Sequence, residues 1–267
     1  ARRVPYCERV RARDYAYFAG RFCALAHRGG WAAGADVENS VAAFRSAVEL
    51  GYTHLETDVH ATSDGVLIAF HDEHLDRVTD AAGAVRDLPW SQVSTARIGG
   101  REPIPTLDEL LETFPDTFFN IDIKADAATL PLARAIASHA AQHRVCVGSF
   151  SNRRIGAFRR LAGSLVATSV APAGVLLYAY GVGARRYAVP AGQALQIPVR
   201  DETTRLLLVK PALIAAAHRA GRVVHVWTIN DAAEMHRLID LGVDGLVSDD
   251  VESLRAVLVE RGLWGAC

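Results

Sequence analysis

The feature that most constrains the fold is a regular alternation of strand-like and helix-like segments along the second half of the chain. Parallel strands need crossover helices of this kind, and nothing between the segments has the composition of an interdomain linker. Strands are predicted at 117–123, 145–150, 165–170, 194–198, 223–229 and 244–247, and helices at 127–141, 152–161, 211–220, 232–241 and 251–261.

We therefore predict an α/β fold, a single and somewhat irregular (β/α)8 TIM-type barrel spanning residues 1–267. A doubly wound sheet is the second choice, because no glycine-rich phosphate turn follows the first strand. Residues 74–103 break the alternation, with glycines, prolines and apolar residues that follow no single period. Long excursions of this kind are often lids over a site, so we predict a small insertion here, after the third strand.

The composition narrows the classes of partner. The formal net charge is −1 at pH 7, which argues against a nucleic-acid partner, because such proteins carry a strongly basic surface. The four cysteines are scattered, which favours a reduced protein over a disulfide framework. No apolar run reaches transmembrane length, and no signal peptide is visible. We expect a cytoplasmic protein, although a chain that begins at Ala1 leaves room for a removed leader.

Two of the strand patterns place acidic side chains on one face. Side chains alternate along a strand, so Glu56 and Asp58 point the same way, and Asp122 and Lys124 repeat this arrangement later in the chain. Carboxylates on an inner face are costly unless a cation lies between them. Their oxygen atoms suit a hard divalent ion such as Mg²⁺ or Ca²⁺. A polar edge strand facing water is the simpler interpretation of Glu56 and Asp58 taken alone.

The ends of the predicted strands carry groups suited to phosphate chemistry. In a barrel of this type the carboxyl ends of the strands line one mouth. His27 and Arg28 follow the first strand, and His71 follows the apolar run 66–70. Arginine and lysine side chains there favour an anionic substrate, and two histidines favour proton transfer in the hydrolysis of a phosphate ester. Trp227 is interpreted as a wall of the substrate pocket.

One connection does not fit an ideal barrel. Asp58 and His71 should lie at the same rim, yet residues 60–65 are too few for a crossover helix. An irregular connection is therefore expected between them.

A set of short motifs in a fixed order resembles one known family. No single motif is decisive, but together they extend from Cys23 onward over nearly the whole chain. They are H-R-G from His27, E-N-S from Glu38, E-T-D-V-H-A-T-S-D-G from Glu56, F-H-D from Phe70, I-P-T-L from Ile104, N-I-D-I-K from Asn120, S-F from Ser149, V-W-T-I-N from Val226 and G-V-D-G-L-V-S-D from Gly242. This ordered set resembles the glycerophosphodiester phosphodiesterase family.

The resemblance implies a barrel related to that of phosphatidylinositol phospholipase C, with one bound divalent metal. It implies metal-dependent hydrolysis of glycerophosphodiesters to glycerol-3-phosphate and an alcohol. The two histidines His27 and His71 would form the acid/base pair. The metal ligands would be Glu56, Asp58 and Asp122, and the phosphate would contact Arg28 and Lys124. Asp122 departs from the family, which usually carries Glu at this position, and the shorter side chain implies a metal nearer that strand or a bridging water.

Two other functions stay open. A lysophospholipase D or sphingomyelinase D-like enzyme could use the same barrel, with a lysolipid as substrate instead of a small glycerophosphodiester. A catalytically silent, metal-dependent binding module is the non-enzymatic alternative, although the presence of both histidines and all three carboxylates argues against it.

Two further interpretations concern residues outside the main set. Glu38 is interpreted as a residue of a helix's first turn, where the helix dipole favours a negative charge. A role in the site, through Asn39, is the weaker alternative. The segment 173–184, followed by Arg185, is predicted to be a barrel helix or a rim loop. We also consider that Tyr178 and Arg185 guide a lipid-like substrate.

Overall fold

The computed structural model describes residues 10–20, 22–180, 191–201 and 205–265. The strands in these ranges are β1 (Cys23–His27), β2 (His54–Ala61), β3 (Leu67–Ala69), β4 (Arg97–Ile98), β5 (Glu102–Pro103), β6 (Phe118–Ile123), β7 (Val145–Gly148), β8 (Ala167–Thr168), β9 (Ala194–Pro198), β10 (Val223–Trp227) and β11 (Gly245–Ser248). The α-helices are α1 (Val41–Glu49), α2 (Trp90–Val93), α3 (Leu107–Thr113), α4 (Thr129–Ser138), α5 (Asn152–Ala162), α6 (Pro172–Tyr180), α7 (Pro211–Arg219), α8 (Ala232–Asp240) and α9 (Val251–Glu260).

Eight parallel strands form the main sheet, in the order β8-β7-β6-β2-β1-β11-β10-β9. A parallel bridge between Ser169, just after β8, and Ala194, the first residue of β9, brings the two edges of this sheet together. The helices between the strands pack around the outside, and their apolar faces join the outward-facing strand residues in the largest core cluster. The predicted (β/α)8 TIM-type barrel is therefore confirmed, and the doubly wound sheet is not formed.

Side-chain alternation along β2 separates the core from the barrel interior. Leu55 and Val59 belong to the apolar cluster between barrel and helices. Glu56 and Asp58 lie on the opposite face and line an internal cavity. All eight residues of this strand are buried, so its acidic residues do not lie on a water-facing edge strand.

The irregular connection after β2 is an antiparallel hairpin. β3 pairs with β2 but lies outside the strand order of the barrel. Val59 is opposite Ala69, and Ala61 is opposite Leu67. The hairpin returns the chain to the mouth without a crossover helix, because an antiparallel partner needs only a tight turn. Both Asp58 and His71 consequently line the same cavity.

Residues 74–103 contain α2 and the two-stranded β4–β5 sheet. They pack around their own apolar cluster, which also includes Ile68 and Phe70 from the hairpin. The cluster accounts for the scattered apolar residues of this segment, since an apolar cluster can form without a long periodic element. The single-domain assignment with an insertion at 74–103 stays a prediction.

The amino-terminal residues close the barrel at the end opposite the mouth. Tyr17 and Phe18 are buried in a cluster with Cys146 and Phe118. The imidazole of His54 stacks on Phe118, with ring centroids 4.7 Å apart. None of the helices in the described ranges combines the length and the apolar character that crossing a bilayer requires.

Candidate active site

A cavity of about 390 Å³ opens at the carboxyl ends of the barrel strands. The eight residues of the main predicted set all line it, namely His27, Arg28, Glu56, Asp58, His71, Asp122, Lys124 and Trp227. Strand register explains part of this convergence, because His27 lies beside Glu56 and Asp58 lies beside Asp122 on neighbouring parallel strands. The structure thus brings together side chains from distant parts of the chain, from His27 to Trp227.

His27 forms the first of two pairs between a histidine and an aspartate. Its Nδ1 lies 2.6 Å from Oδ1 of Asp249, and Nδ2 of Asn230 donates to the other oxygen of Asp249 at 2.9 Å. Burial tends to raise the pKa of Asp249, but the hydrogen bonds from His27 and Asn230 lower it overall. An ionised Asp249 can only accept, so Nδ1 of His27 carries a proton. Burial lowers the pKa of His27, but Asp249 and Glu56 together raise it above its usual value.

His71 forms the second pair. Its Nδ1 lies 2.5 Å from Oδ1 of Asp72, and Arg77 contacts the other oxygen of Asp72. Burial raises the pKa of Asp72, but its hydrogen bonds with Arg77 and His71 lower it overall. The ionised carboxylate fixes the proton of His71 on Nδ1, which leaves Nε2 as the ring nitrogen that can meet a substrate.

Three buried carboxylates share the centre of the cavity. Burial, and then the charge of Asp58, raises the pKa of Glu56 to about 7. Burial also raises the pKa of Asp122. Asp58 behaves differently, since the charges of Lys124 and Arg28 outweigh its burial and lower its pKa. Burial is therefore the main cause of the raised pKa of Glu56 and Asp122, and repulsion from Asp58 adds to it.

Two cationic side chains surround these acids. Nζ of Lys124 lies 3.0 Å from Oδ1 of Asp58 and 2.8 Å from Oδ2 of Asp122. Nε of Arg28 lies 3.1 Å from Oδ2 of Asp58, and its NH1 group donates to Glu38 at 3.1 Å. Both oxygens of Asp58 therefore face a cation.

The three carboxylates form a set of possible ligands for a divalent metal ion. The carboxylates of Glu56, Asp58 and Asp122 supply only oxygen atoms, which hard cations such as Mg²⁺ and Ca²⁺ prefer. The raised pKa values of Glu56 and Asp122 fit a centre that gains from further positive charge. In the described ranges, however, no group of three or more His, Cys, Asp or Glu side chains is arranged to hold a metal ion. The chemistry of these donors fits a divalent cation, while the observed arrangement pairs two of them with Lys124.

The opposite side of the cavity is apolar. Its wall is formed by Val170, Val175, Leu176, Ile197 and Leu208. Trp227 and Phe150 meet edge to face at the boundary with the acidic side, with ring centroids 5.5 Å apart. The cavity thus joins an acidic centre to a surface that suits a hydrocarbon group.

Several site residues were missed or misinterpreted in the sequence. Asp249, Asn230 and Asp72 lie inside recognised motifs, but no role was assigned to them. Glu38 was placed in the first turn of a helix, which is wrong: α1 begins at Val41 after the cap residue Ser40. Glu38 lies before that cap and its carboxylate contacts Arg28. The position of Asp249 one residue after β11 was the available signal, since residues at strand ends line the mouth.

The lipid-guiding role considered for Tyr178 does not fit its environment. Tyr178 is 6% exposed and belongs to the main apolar core, so it presents no surface for a lipid. Its partner in that hypothesis, Arg185, lies outside the described residues. The described part of the segment 173–184 belongs to the helix α6, which agrees with the predicted barrel helix and not with the rim loop.

Sequence comparison finds similar proteins among phosphodiesterases. The sequence model of the Glycerophosphoryl diester phosphodiesterase family matches residues 27–253. A Mycobacterium tuberculosis protein described as probable glycerophosphodiester phosphodiesterase 2 is 40% identical over 246 residues, which cover 90% of this chain and 92% of that protein. A human lysophospholipase D is 27% identical over 269 residues, which cover 88% of this chain and 85% of the human protein.

Solved structures share the fold at lower sequence identity. A phosphodiesterase from Oleispira antarctica, solved in complex with the product sn-glycerol-3-phosphate, has a TM-score of 0.73 and 22% identity, covering 91% of this chain and 99% of its own. A glycerophosphoryl diester phosphodiesterase structure from Silicibacter pomeroyi has a TM-score of 0.74 and 20% identity, covering 93% of this chain and 99% of its own. At these identities the likeness supports the barrel fold.

Proposed function

Because this chain belongs to the glycerophosphoryl diester phosphodiesterase family, we propose that it hydrolyses glycerophosphodiesters to glycerol-3-phosphate and an alcohol, with a divalent metal ion and two histidines. The chain is a phosphoric diester hydrolase, and a small glycerophosphodiester is the first candidate substrate. The observation that carries the finer proposal is the presence of two histidine–aspartate pairs in one acidic cavity.

The two histidines are proposed to move the protons of the reaction. Asp249 holds the proton of His27 on Nδ1, and Asp72 does the same for His71. In each ring Nε2 is then free to take a proton from the nucleophile or to give one to the leaving oxygen. If water is the nucleophile, it displaces the alcohol in one step. If the neighbouring hydroxyl of the glycerol group attacks, it displaces the alcohol and forms a cyclic glycerol phosphate, which water then opens to glycerol-3-phosphate while the two histidines exchange their proton roles.

The remaining side chains are proposed to bind and orient the phosphate. Glu56, Asp58 and Asp122 would hold the metal ion, which when bound supplies Lewis-acid polarisation of a phosphoryl oxygen. Arg28 and Lys124 would contact the other phosphate oxygens and offset the charge that develops on them. Lys124 would have to turn from Asp58 and Asp122 towards the substrate, because these two carboxylates, which it now contacts, would then hold the metal ion. Trp227 would form an apolar wall beside the glycerol or the alcohol.

A lysolipid is the second candidate substrate. The apolar side of the cavity, from Val170 to Leu208, offers a surface to an acyl chain that a small alcohol would not need. The human relative, whose match covers 88% of this chain, is named a lysophospholipase D. The sphingomyelinase D-like alternative and the silent binding module have no corresponding observation in their favour.

A substrate panel with metal control tests both candidates. Release of glycerol-3-phosphate from glycerophosphoethanolamine is measured beside turnover of lysophosphatidylcholine, in untreated enzyme, with EDTA, and after separate addition of Mg²⁺ or Ca²⁺. We expect turnover of the small diester that EDTA abolishes and one of the two ions restores. Turnover that EDTA leaves unchanged would overturn the metal dependence. A preference for lysophosphatidylcholine would favour the second candidate, and no turnover of either substrate would contradict the enzymatic proposal.

A further inference from the structure

One arginine of the insertion reaches the rim of the cavity and contacts two carboxylates there. The guanidinium of Arg77 faces Glu38 through two nitrogens, with NH2 2.5 Å from Oε1 and NH1 3.1 Å from Oε2. Its third nitrogen, Nε, donates to Oδ2 of Asp72. All three nitrogens of the guanidinium group are therefore engaged, and each partner comes from a different part of the chain.

Both carboxylates lead directly to groups that line the cavity. Asp72 holds Nδ1 of His71 at 2.5 Å through the oxygen that Arg77 does not contact. Glu38 lies 3.1 Å from NH1 of Arg28, which in turn contacts Asp58. Arg77 is thus connected to His71 through Asp72, and to Arg28 through Glu38.

The charges show why a cation is needed at this point. Glu38 and Asp72 both approach the same guanidinium, so without it two carboxylates would face each other across a gap. Like charges repel, so the two carboxylates would tend to move apart. Asp72 would then turn away from His71, and Glu38 would turn away from Arg28. Arginine suits this position because its planar fork can bind Glu38 through two nitrogens while a third binds Asp72.

We infer that Arg77 is a positioning residue, which fixes the ring of His71 and the guanidinium of Arg28 at the same time and so couples the insertion to the active site. The effect of this coupling on turnover rests on the proposed function. Arg77 itself lies outside the lining of the cavity, so it acts through Asp72 and Glu38. An exposed ion pair contributes little to stability, and the Arg77 side chain is 48% exposed, so its contribution should appear in turnover more than in stability.

The chain offers a closely matched control. Arg101 also belongs to the insertion, its side chain is 50% exposed, and it binds Asp36 through two nitrogens at 2.6 and 3.0 Å. Asp36, like Glu38, lies in the loop before α1, but neither Arg101 nor Asp36 lines the cavity. Arg77→Met and Arg101→Met therefore each remove a half-exposed arginine of the insertion, and only Arg77 leads to the site. The partners differ, since Arg77 binds two carboxylates that are 19% and 23% exposed and Arg101 binds one that is 55% exposed.

The test compares kcat and KM for glycerophosphoethanolamine in the wild type, Arg77→Met, Arg77→Lys and Arg101→Met. Misplaced catalytic and binding groups typically cost about 10- to 100-fold. We expect a loss of this size in kcat/KM for Arg77→Met, with kcat lowered through His71 and KM raised through Arg28. Arg77→Lys should recover part of the loss, since lysine keeps the charge but not the fork. Arg101→Met should stay within about threefold of the wild type.

The inference is wrong if Arg77→Met also stays within threefold, or if Arg101→Met loses as much activity. A readout independent of turnover separates this inference from the proposed function. Long-range ¹H–¹⁵N spectra of the histidine rings report whether His71 keeps its proton on Nδ1. We expect Arg77→Met to mix the two tautomers of His71 while Arg101→Met leaves them unchanged. If the wild type proves inactive the proposed function fails, and an unchanged His71 spectrum in Arg77→Met would refute the positioning role by itself.

Discussion

Ring orientation separates His27 and His71 from His139 and His218, which also form a hydrogen bond with a carboxylate. In these two residues Nδ1 faces the aspartate, which leaves Nε2 available at the cavity. In His139 and His218 it is Nε2 that faces an acidic side chain, and both lie away from the cavity. A histidine held through Nδ1 presents its outermost ring nitrogen, which is the better placed to exchange a proton with a bound substrate.

Replacement of His71 tests this reasoning at a single residue. His71→Ala should lower kcat by about 10²-fold or more, because it removes one of the two groups proposed to transfer protons. The fold should persist, since the His71 side chain is 32% exposed and contributes little to the core. The measurement is kcat for glycerophosphoethanolamine, beside a thermal unfolding curve. His74→Ala is the control, because His74 is 60% exposed and does not line the cavity. Near-normal turnover of His71→Ala would refute the assignment.

Some of these residues could be predicted from the sequence and others could not. Glu56, Asp58 and Asp122 could be assigned to one cavity because alternation along a strand and the convergence of strand ends are local rules. Asp249 could not be paired with His27 in this way, since 222 positions separate them. Their contact depends on the pairing of β1, the first strand of the chain, with β11, the last strand, in the closed barrel. Closure is a property of the whole sheet and leaves no local pattern at either residue.

At the scale of elements, the boundary of α1 depends on one residue in the left-handed region. Asn39 has φ of +61°, which interrupts a helical pattern that otherwise extends back to Glu38. Its amide accepts from the hydroxyl of Thr57 at 2.8 Å and donates towards Asp58 at 3.5 Å. The helix consequently starts after Ser40, whose side chain caps it. Apolar periodicity gave no sign of this turn, because Asn39 stabilises it through contacts with β2.

Asn39→Ala should therefore destabilise the protein. Alanine removes both side-chain contacts, leaves the buried hydroxyl of Thr57 without that partner, and keeps a Cβ in an unfavourable backbone region. We expect a loss of about 2–3 kcal/mol in the free energy of unfolding, measured by urea denaturation. Asn39→Gly should lose less, because glycine adopts positive φ readily.

The backbone contribution can be isolated at a second site. Ala140 follows the last turn of α4 with φ of +48° and is exposed. Ala140→Gly should stabilise the protein by about 0.5–1 kcal/mol, since it relieves the same backbone strain without removing a side-chain contact. If Asn39→Ala were no less stable than the wild type, the proposed role of Asn39 in ending the helix would be wrong.

At the scale of the whole molecule, the two ends of the barrel have opposite character. The mouth concentrates charged groups around one cavity. The opposite end is closed by Tyr17 and Phe18 and contains His225, which is 1% exposed. The sequence did not reveal which end of the barrel Tyr17 and Phe18 close. The floor of the barrel is the end opposite the mouth. Tyr17 and Phe18 pack there against apolar residues from several strands, which become neighbours only when all strands are in place.

The buried floor should make the stability of the protein depend on pH. Burial, and then the charge of His54 on β2, lowers the pKa of His225 to about 3. Phe18 packs beside this ring, with centroids 5.8 Å apart, and Gly245 of β11 lies next to His225 on the neighbouring strand. In the unfolded chain the same imidazole should titrate near 6.5. As the pH falls below that value the unfolded state binds a proton that the folded state does not, so stability is lost between about pH 6.5 and pH 3.

His225→Leu isolates this contribution, because leucine fills a similar volume and cannot bind a proton. Between pH 7 and pH 5 the wild type should lose about 2 kcal/mol more of its unfolding free energy than the variant, since each pH unit corresponds to about 1.4 kcal/mol per proton. Urea denaturation of both proteins at the two pH values measures the difference. Equal losses would mean that His225 is protonated in the folded barrel. The floor would then have to admit water or a counter-charge, which contradicts the closure by Tyr17 and Phe18.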